Sequence, residues 1–297
     1  MRPLTFFILT SILFSSIFNP QKISIRAAPL LSSQPGAPFF ENAPCMFDLP
    51  QGATIDREIQ CGYLHVPEEY NQPESPSIRL AVAILKSPSA DSQKDPLVLA
   101  QGGPGGSTIE TYVNLFSNSR LEFAKNRDII LLEQRGTLYS DPALMCPEIL
   151  DETIQTLDQD MGLDESLRLY EESISQCHQR LVSSGVNLPA FDSYENARDF
   201  ESLRNALELE EYNLYGVSYG TLLALHIMRN NPAGLRSVIL DAVVPPEENF
   251  ILKSPLSQTR AFQVLFSSCQ ADPNCSQDYP DLEKNFWDTV DRLNEKP

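Results

Sequence analysis

The sequence predicts an α/β protein built on a mostly parallel, doubly wound sheet, and three observations carry that prediction. Short continuous apolar runs, Leu97-Val98-Leu99-Ala100 and Ile129-Ile130-Leu131-Leu132, read as strands covered on both faces, as in a parallel sheet. Segments with apolar residues at helical spacing alternate with such runs, which is the pattern of strand, crossover helix, strand. The chain has 297 residues, room for one large core with an insertion or for two smaller domains.

Taken in order, Ile59, Cys61, Tyr63 and His65 alternate with Gly62, Leu64 and Val66 up to Pro67, and Ile78, Leu80, Val82 and Ile84 alternate in the same way. These are two strands, expected as antiparallel neighbours across the turn-rich segment Asn71 to Pro76. The buried strand Leu97 to Ala100 follows, then a crossover helix within Ile109 to Phe123, then the buried strand Ile129 to Leu132. Leu167, Tyr170, Ile174, Cys177 and Leu181 form one helical stripe, which predicts a buried Cys177. Ala197, Phe200, Leu203 and Leu207 form the next, with Ser193 as its candidate N-cap. Two further buried strands, Tyr212 to Val217 and Val238 to Ala242, flank a helix over Thr221 to Asn230. Past Pro245-Pro246 the strand pattern stops. Phe262, Leu265, Phe266 and Cys269 make one helical stripe and Leu282, Phe286, Val290 and Leu293 another, as in the start of a helical cap. No internal repeat is present, and only the Ser/Pro-rich stretch Ser32 to Pro38 is of low complexity.

Composition excludes several classes. Apolar residues are 42% and charged residues 21%, ordinary for a globular protein and wrong for a disordered or collagenous one. Twenty-two basic against 40 acidic residues give a net charge of -18, without the basic face a general nucleic-acid binder needs. Arg2, the apolar run Leu4 to Phe18, and a polar exit with Ala27 and Ala28 read as a secretory signal peptide; the alternative is an uncleaved membrane anchor. No later segment is apolar enough to span a membrane. The expected organisation is a signal peptide over residues 1–27, an N-terminal segment over 28–56, a core over 57–246 and the beginning of a cap over 247–297, in a secreted or periplasmic protein.

Six cysteines in an exported chain point to disulfides. Cys269 and Cys275 flank the expected turn Ala-Asp-Pro-Asn, Cys45 and Cys61 bracket the entry to the first strand, and Cys146 is left for Cys177. A metal site would need Cys-x-x-Cys pairs or Cys/His sets, and only Cys177 beside His178 resembles one. Adjacent residues on a helix point about 100° apart, so no metal is expected.

Two motifs carry chemistry. In Gly216-Val217-Ser218-Tyr219-Gly220 an apolar strand precedes and an apolar helix follows, the setting in which a serine nucleophile projects from a tight turn. Gly216 and Gly220 free that turn of side-chain clashes. Directly after the strand Leu97 to Ala100 comes Gln101-Gly102-Gly103-Pro104-Gly105-Gly106. Acyl transfer builds negative charge on a carbonyl oxygen, and residues without side chains let backbone N–H groups come close to it. A phosphate-binding reading fails for want of a Gly-Lys-Ser/Thr ending or a Gly-x-Gly-x-x-Gly register.

Gln101 to Ser107 and Gly216 to Thr221, with Glu133-Gln134-Arg135-Gly136-Thr137 and with Ser237-Val238-Ile239-Leu240-Asp241 leading to Pro245-Pro246, resemble the prolyl and tripeptidyl aminopeptidase branch of the α/β-hydrolases. The resemblance runs from about Cys61 to Pro297. It implies an α/β-hydrolase fold, Ser218 as nucleophile, and Gly103 and Tyr219 as oxyanion-hole N–H donors, with Gly102, Pro104, Gly105, Gly216 and Gly220 supporting them. It further implies a peptide or other small-molecule substrate and no cofactor. Two positions depart from the family pattern: Glu133 stands for its usual Asp, and Gln101 for a His that is often Gln in the secreted branch.

The base is a graver departure. This fold orders its triad Ser, acid, His, and the only histidine after Ser218 is His226. It lies eight residues on, about 12 Å along the same predicted helix. His65 sits in a strand alternation and His178 beside a predicted disulfide. Asp241 matches a structural position, and Asp272, Asp278, Asp281, Asp288 and Asp291 lie in the cap-like helices. The expectation is therefore a piece of a longer exported serine aminopeptidase, inactive alone. The alternatives are an esterase or epoxide-type hydrolase, and a catalytically dead binding protein of the same fold.

Overall fold

The computed structural model describes residues 38–49, 57–118 and 124–295. The expected leader over 1–27, and the tail of the first crossover helix toward Phe123, lie outside the described residues. The seven strands are β1 (Phe39–Asn42), β2 (Ile59–Pro67), β3 (Ser77–Leu85), β4 (Gln93–Ala100), β5 (Arg127–Leu132), β6 (Tyr212–Val217) and β7 (Leu235–Asp241). They form one mixed sheet in the order β1-β2-β3-β5-β4-β6-β7. β1, β2, β3 and β5 pair antiparallel, while β5, β4, β6 and β7 run parallel.

Alternation along β3 divides the core. Leu80, Val82 and Ile84 face one side, with Val98, Ile130 and Leu132, under helices α4 (Ser193–Ala206) and α5 (Tyr219–Asn230). Ala81, Ala83 and Leu85 face the other, with Leu99, Leu131 and the Ile109, Tyr112 and Val113 stripe of α1 (Thr108–Asn118). Helices on both faces explain why β4 and β5 read as unbroken apolar runs: neither has a solvated side.

Other elements differ from the sequence reading. β1 is an extra edge strand, and α2 (Pro147–Thr156) an extra helix with no buried residue. On α3 (Leu163–Ser183) only Ser173, Cys177 and Leu181 are buried; Leu167, Tyr170 and Ile174 are exposed, so the stripe is covered only toward its C-terminal end. The N-cap of α4 is Asp192, whose carboxylate accepts from the Glu195 N–H at 2.8 Å; Ser193 is the first helical residue. β7 starts at Leu235 and is half exposed rather than buried: it is the last strand of the sheet among the described residues, and Ile239 is exposed.

Beyond it come α6 (Phe250–Ala271), α7 (Pro273–Asp278) and α8 (Leu282–Glu295). Asp272 ends α6 and caps α7 through the Asn274 and Cys275 N–H groups, so the segment between Cys269 and Cys275 is a helix junction. Phe262, Phe266, Phe286 and Trp287 stack and cross edge-on between α6 and α8. The disulfides are Cys45–Cys61, Cys146–Cys177 and Cys269–Cys275. No described helix is long and apolar enough to cross a membrane.

Candidate active site

Ser218 sits between β6 and α5 with φ 54° and ψ -121°, a backbone region that L-residues rarely occupy and that stores strain. The turn is held from both sides. The Ser218 N–H donates to the Asp241 carbonyl at 2.9 Å, which ties it to the end of β7. The Ser218 carbonyl accepts from the Thr221 N–H at 2.9 Å and the Thr221 hydroxyl at 2.6 Å, and Thr221 Oγ1 accepts in turn from the Val244 N–H at 2.8 Å. A Cβ on Gly216 would fall 2.4 Å from the Gly220 carbonyl oxygen, and one on Gly220 2.0 Å from that of Ala100. The two flanking glycines are therefore requirements of space: the elbow closes on itself and packs against the end of β4.

The loop after β4 meets the same serine. A Cβ on Gly102 would lie 2.7 Å from Ser218 Cβ and 3.2 Å from its Oγ, so the backbone at Gly102 is laid directly against the serine. Gly103 and Gly105 have φ of +128° and +94°, and the Gly106 N–H closes the turn onto the Gly102 carbonyl at 3.1 Å. Tyr219 is the first residue of α5, where backbone N–H groups have no acceptor within the helix and the helix dipole favours negative charge. An anionic oxygen bound at Ser218 would have both segments' backbones at hand.

The segment after β5 secures that loop. Glu133 is fully buried, and its carboxylate accepts from Ser107 Oγ at 3.0 Å, the Ile109 N–H at 3.1 Å and Thr137 Oγ1 at 2.7 Å. Burial pushes the Glu133 carboxyl above its ordinary range, and these donors oppose the shift. Gln134 Nε2 donates to the Gln101 carbonyl at 2.7 Å. Arg135 turns the other way and forms a two-pronged buried pair with Asp199, at 2.8 and 2.7 Å, while also donating to the carbonyls of Glu68 and Ala190. Of these residues the sequence pointed to the Glu133–Thr137 motif and, in the glycine loop, to Gln101 and Ser107, but to none of the bonds between them. Thr221 was legible only as the last residue of the Gly216–Thr221 motif, and the α4 residues Ser193 and Asn196 that approach Tyr219 carried no functional signal of their own.

The histidines stand apart from Ser218 in the fold. His65 is on β2, its ring stacked on Phe39 and 2.7 Å from Glu41, with β3, β5 and β4 between its strand and β6. His178 is on α3, and His226 is two turns along α5. The Asp241 carboxylate accepts from the Tyr215 hydroxyl at 2.6 Å and so raises that phenol's pKa. Cys146, Glu148 and Cys177 come together, but the two sulfurs are bonded to each other and Glu148 accepts from Arg180.

Strand order, two-faced helix packing and a serine on a strained turn at the end of a central strand define a class of α/β scaffold built to present one side chain. The description alpha/beta hydrolase fold matches residues 95–266, and the chain belongs to that family. It is 29% identical to the serine protease Hip1 of Mycobacterium tuberculosis over 78% of this chain and 44% of that protein. It is 31% identical to a tripeptidyl aminopeptidase of Streptomyces coelicolor over 73% of this chain and 41% of the relative. Carboxylesterase B of Mycobacterium tuberculosis is 27% identical over 81% and 48% respectively. The chain thus spans less than half the length of these relatives.

Proposed function

We propose that the protein carrying this sequence is an exported serine hydrolase that releases N-terminal residues or short peptides. Ser218 Oγ attacks the substrate carbonyl, the Gly103 and Tyr219 N–H groups hold the resulting oxyanion, collapse expels the amine, and water then resolves the acyl-enzyme. The observation that carries this reading is the strained Ser218 turn with Gly102 packed against it: strain of this kind persists where the surroundings hold it in place. Similarity to a serine protease and a tripeptidyl aminopeptidase supports the peptidase assignment. Three disulfides support export to an oxidising compartment. In this reading residues 1–27 are the leader, 28–56 an N-terminal segment, 57–246 the core, and 247–297 the beginning of a cap.

The proton of Ser218 needs a base, and the positions of His65 on β2, separated from β6 by three strands, of His178 on α3, and of His226 two turns along α5 argue against each of them in that role. The acid and histidine belong to sequence outside these 297 residues, and residues 28–297 alone turn over no substrate. The test is hydrolysis of aminoacyl and tripeptidyl anilides by purified residues 28–297 and by the full reading frame, each with Ser218→Ala as control. Turnover by the full frame alone, lost in Ser218→Ala, is the expected result. Turnover by residues 28–297 would refute the missing-base argument, and activity that survives Ser218→Ala would refute the nucleophile. The similarity to a carboxylesterase favours a second reading as an esterase. Ester hydrolysis with no anilide hydrolysis in the full frame would select it.

A further inference from the structure

The two backbone segments assigned above to the oxyanion come from distant parts of the chain, and their relative position has to be fixed by something. Direct packing of Gly220 on Ala100 is one tie. A second runs through side chains. Gln134 Nε2 donates to the Gln101 carbonyl at 2.7 Å, immediately before Gly102. On its other side Gln134 Oε1 accepts from Asn196 Nδ2 at 3.3 Å. Asn196 stands on the first turn of α4 beside Ser193, and both meet the phenol of Tyr219, with Ser193 Oγ 2.9 Å from the hydroxyl. Gln134 and Asn196 are buried at 1% and 4% exposure, so water does not compete for these bonds. Asn196 Oδ1 has no hydrogen-bond partner among the described residues, a cost that an apolar residue here would not carry.

We propose that Gln134 and Asn196 are positioning residues forming a buried amide bridge that sets the Gln101–Gly103 loop relative to Tyr219 at the head of α5. The proposal rests on the assignment of Gly103 and Tyr219 to one site, but it is a statement about geometry and holds with or without turnover. One end of the bridge grips the backbone before Gly102. The other grips the side chain whose own N–H is the second donor. α4 is the rigid element between them, itself fastened beneath by the buried Arg135–Asp199 pair.

The experiment is backbone amide NMR of residues 28–297 with two variants, Asn196→Leu and the milder Tyr219→Phe, which removes only the hydroxyl. In Asn196→Leu the Gly102 and Gly103 signals should move by more than a linewidth although neither residue touches position 196. In Tyr219→Phe they should move in the same direction by less. A Gln134→Leu/Asn196→Leu double variant should displace them no further than Gln134→Leu alone. Gly102 and Gly103 signals at their parental positions in both Asn196→Leu and Tyr219→Phe, with changes confined to α4 and its neighbours, would overturn the bridge. The readout needs no catalysis, so an inactive serine and an absent bridge give different results.

Discussion

The glycine-bearing turns that meet at Ser218 look alike in sequence and are held by different physics. In the elbow, Gly216 and Gly220 have no room: each would drive a Cβ into a carbonyl oxygen at 2.4 or 2.0 Å. In the loop, Gly105 has open space on all sides and is glycine only because its φ is +94°. Gly102, Gly103 and Gly106 are short of room too, each with a neighbouring atom 2.7 Å from an added Cβ, so close packing specifies the elbow and the inner part of the loop, while backbone conformation alone specifies the loop's tip at Gly105. A rigid serine beside a loop that depends on its anchors is the arrangement these two modes produce.

The largest effect should come from Gly220→Ala. The obstructing atom is the Ala100 carbonyl oxygen in the sheet's central strand, which no rotamer change can move aside. We expect a loss of at least about 3 kcal/mol of stability, the upper part of the usual overpacking range, read as a lower urea midpoint. A loss under about 1 kcal/mol would mean that the elbow and β4 can separate, and the contrast with the loop would collapse.

Second comes Ser218→Gly, with the opposite sign. Holding a non-glycine residue at φ 54° and ψ -121° costs about 1–3 kcal/mol, while glycine's extra freedom in the unfolded chain returns about 0.5–1 kcal/mol of that. The variant should therefore be about 1 kcal/mol more stable than the parent in the same urea titration. An unchanged or lowered midpoint would show that the turn carries no stored strain.

What the sequence disclosed follows the same division. Conformational and steric demands leave local marks: paired glycines around Ser218, and a glycine run after an apolar strand. Periodicity disclosed β2 to β6 because their side chains are sorted by burial. It failed where burial does not sort residues. β1 is four residues at the sheet edge and α2 buries none of its residues; β7 was legible from Val238 on, but not its first residues, Leu235 to Ser237, none of which is buried. The bridge itself left no mark, since Gln134 and Asn196 lie 62 residues apart and each alone is one polar residue among polar neighbours, Gln134 legible only as part of the Glu133–Thr137 motif.

Of similar size to Ser218→Gly, Gly105→Ala tests the mode at the loop's tip. With no atom within 4 Å of the new Cβ, the only cost is placing an L-residue at φ +94°, about 1–2 kcal/mol. Replacement by Asn, which tolerates positive φ better, should cost less than Ala despite its size. If Asn proved worse than Ala in thermal unfolding, the tip at Gly105 would be limited by space as the rest of the site is, and its distinction from the elbow would be lost.

The smallest effect concerns the loop's far anchor and depends on pH. Glu133 is buried without a cationic partner among its hydrogen bonds, and its carboxyl is raised above the ordinary value of 4.5 mainly by desolvation. A raised folded value means that the folded protein keeps a proton the unfolded chain gives up. This group's contribution is therefore fully favourable below pH 4.5, declines as pH climbs through the folded value, and is constant above it. Glu133→Gln keeps an acceptor for Ser107 and the Ile109 N–H and removes the titration. The stability of the variant relative to the parent should accordingly rise with pH from about 4.5 and then level off. Urea titrations of both proteins from pH 4 to 8 measure that difference directly. A flat difference would mean that the donors from Ser107, Ile109 and Thr137 fully offset the burial of the charge. Glu133 would then anchor the loop as an ordinary carboxylate, and the loop's hold on α1 would be indifferent to pH.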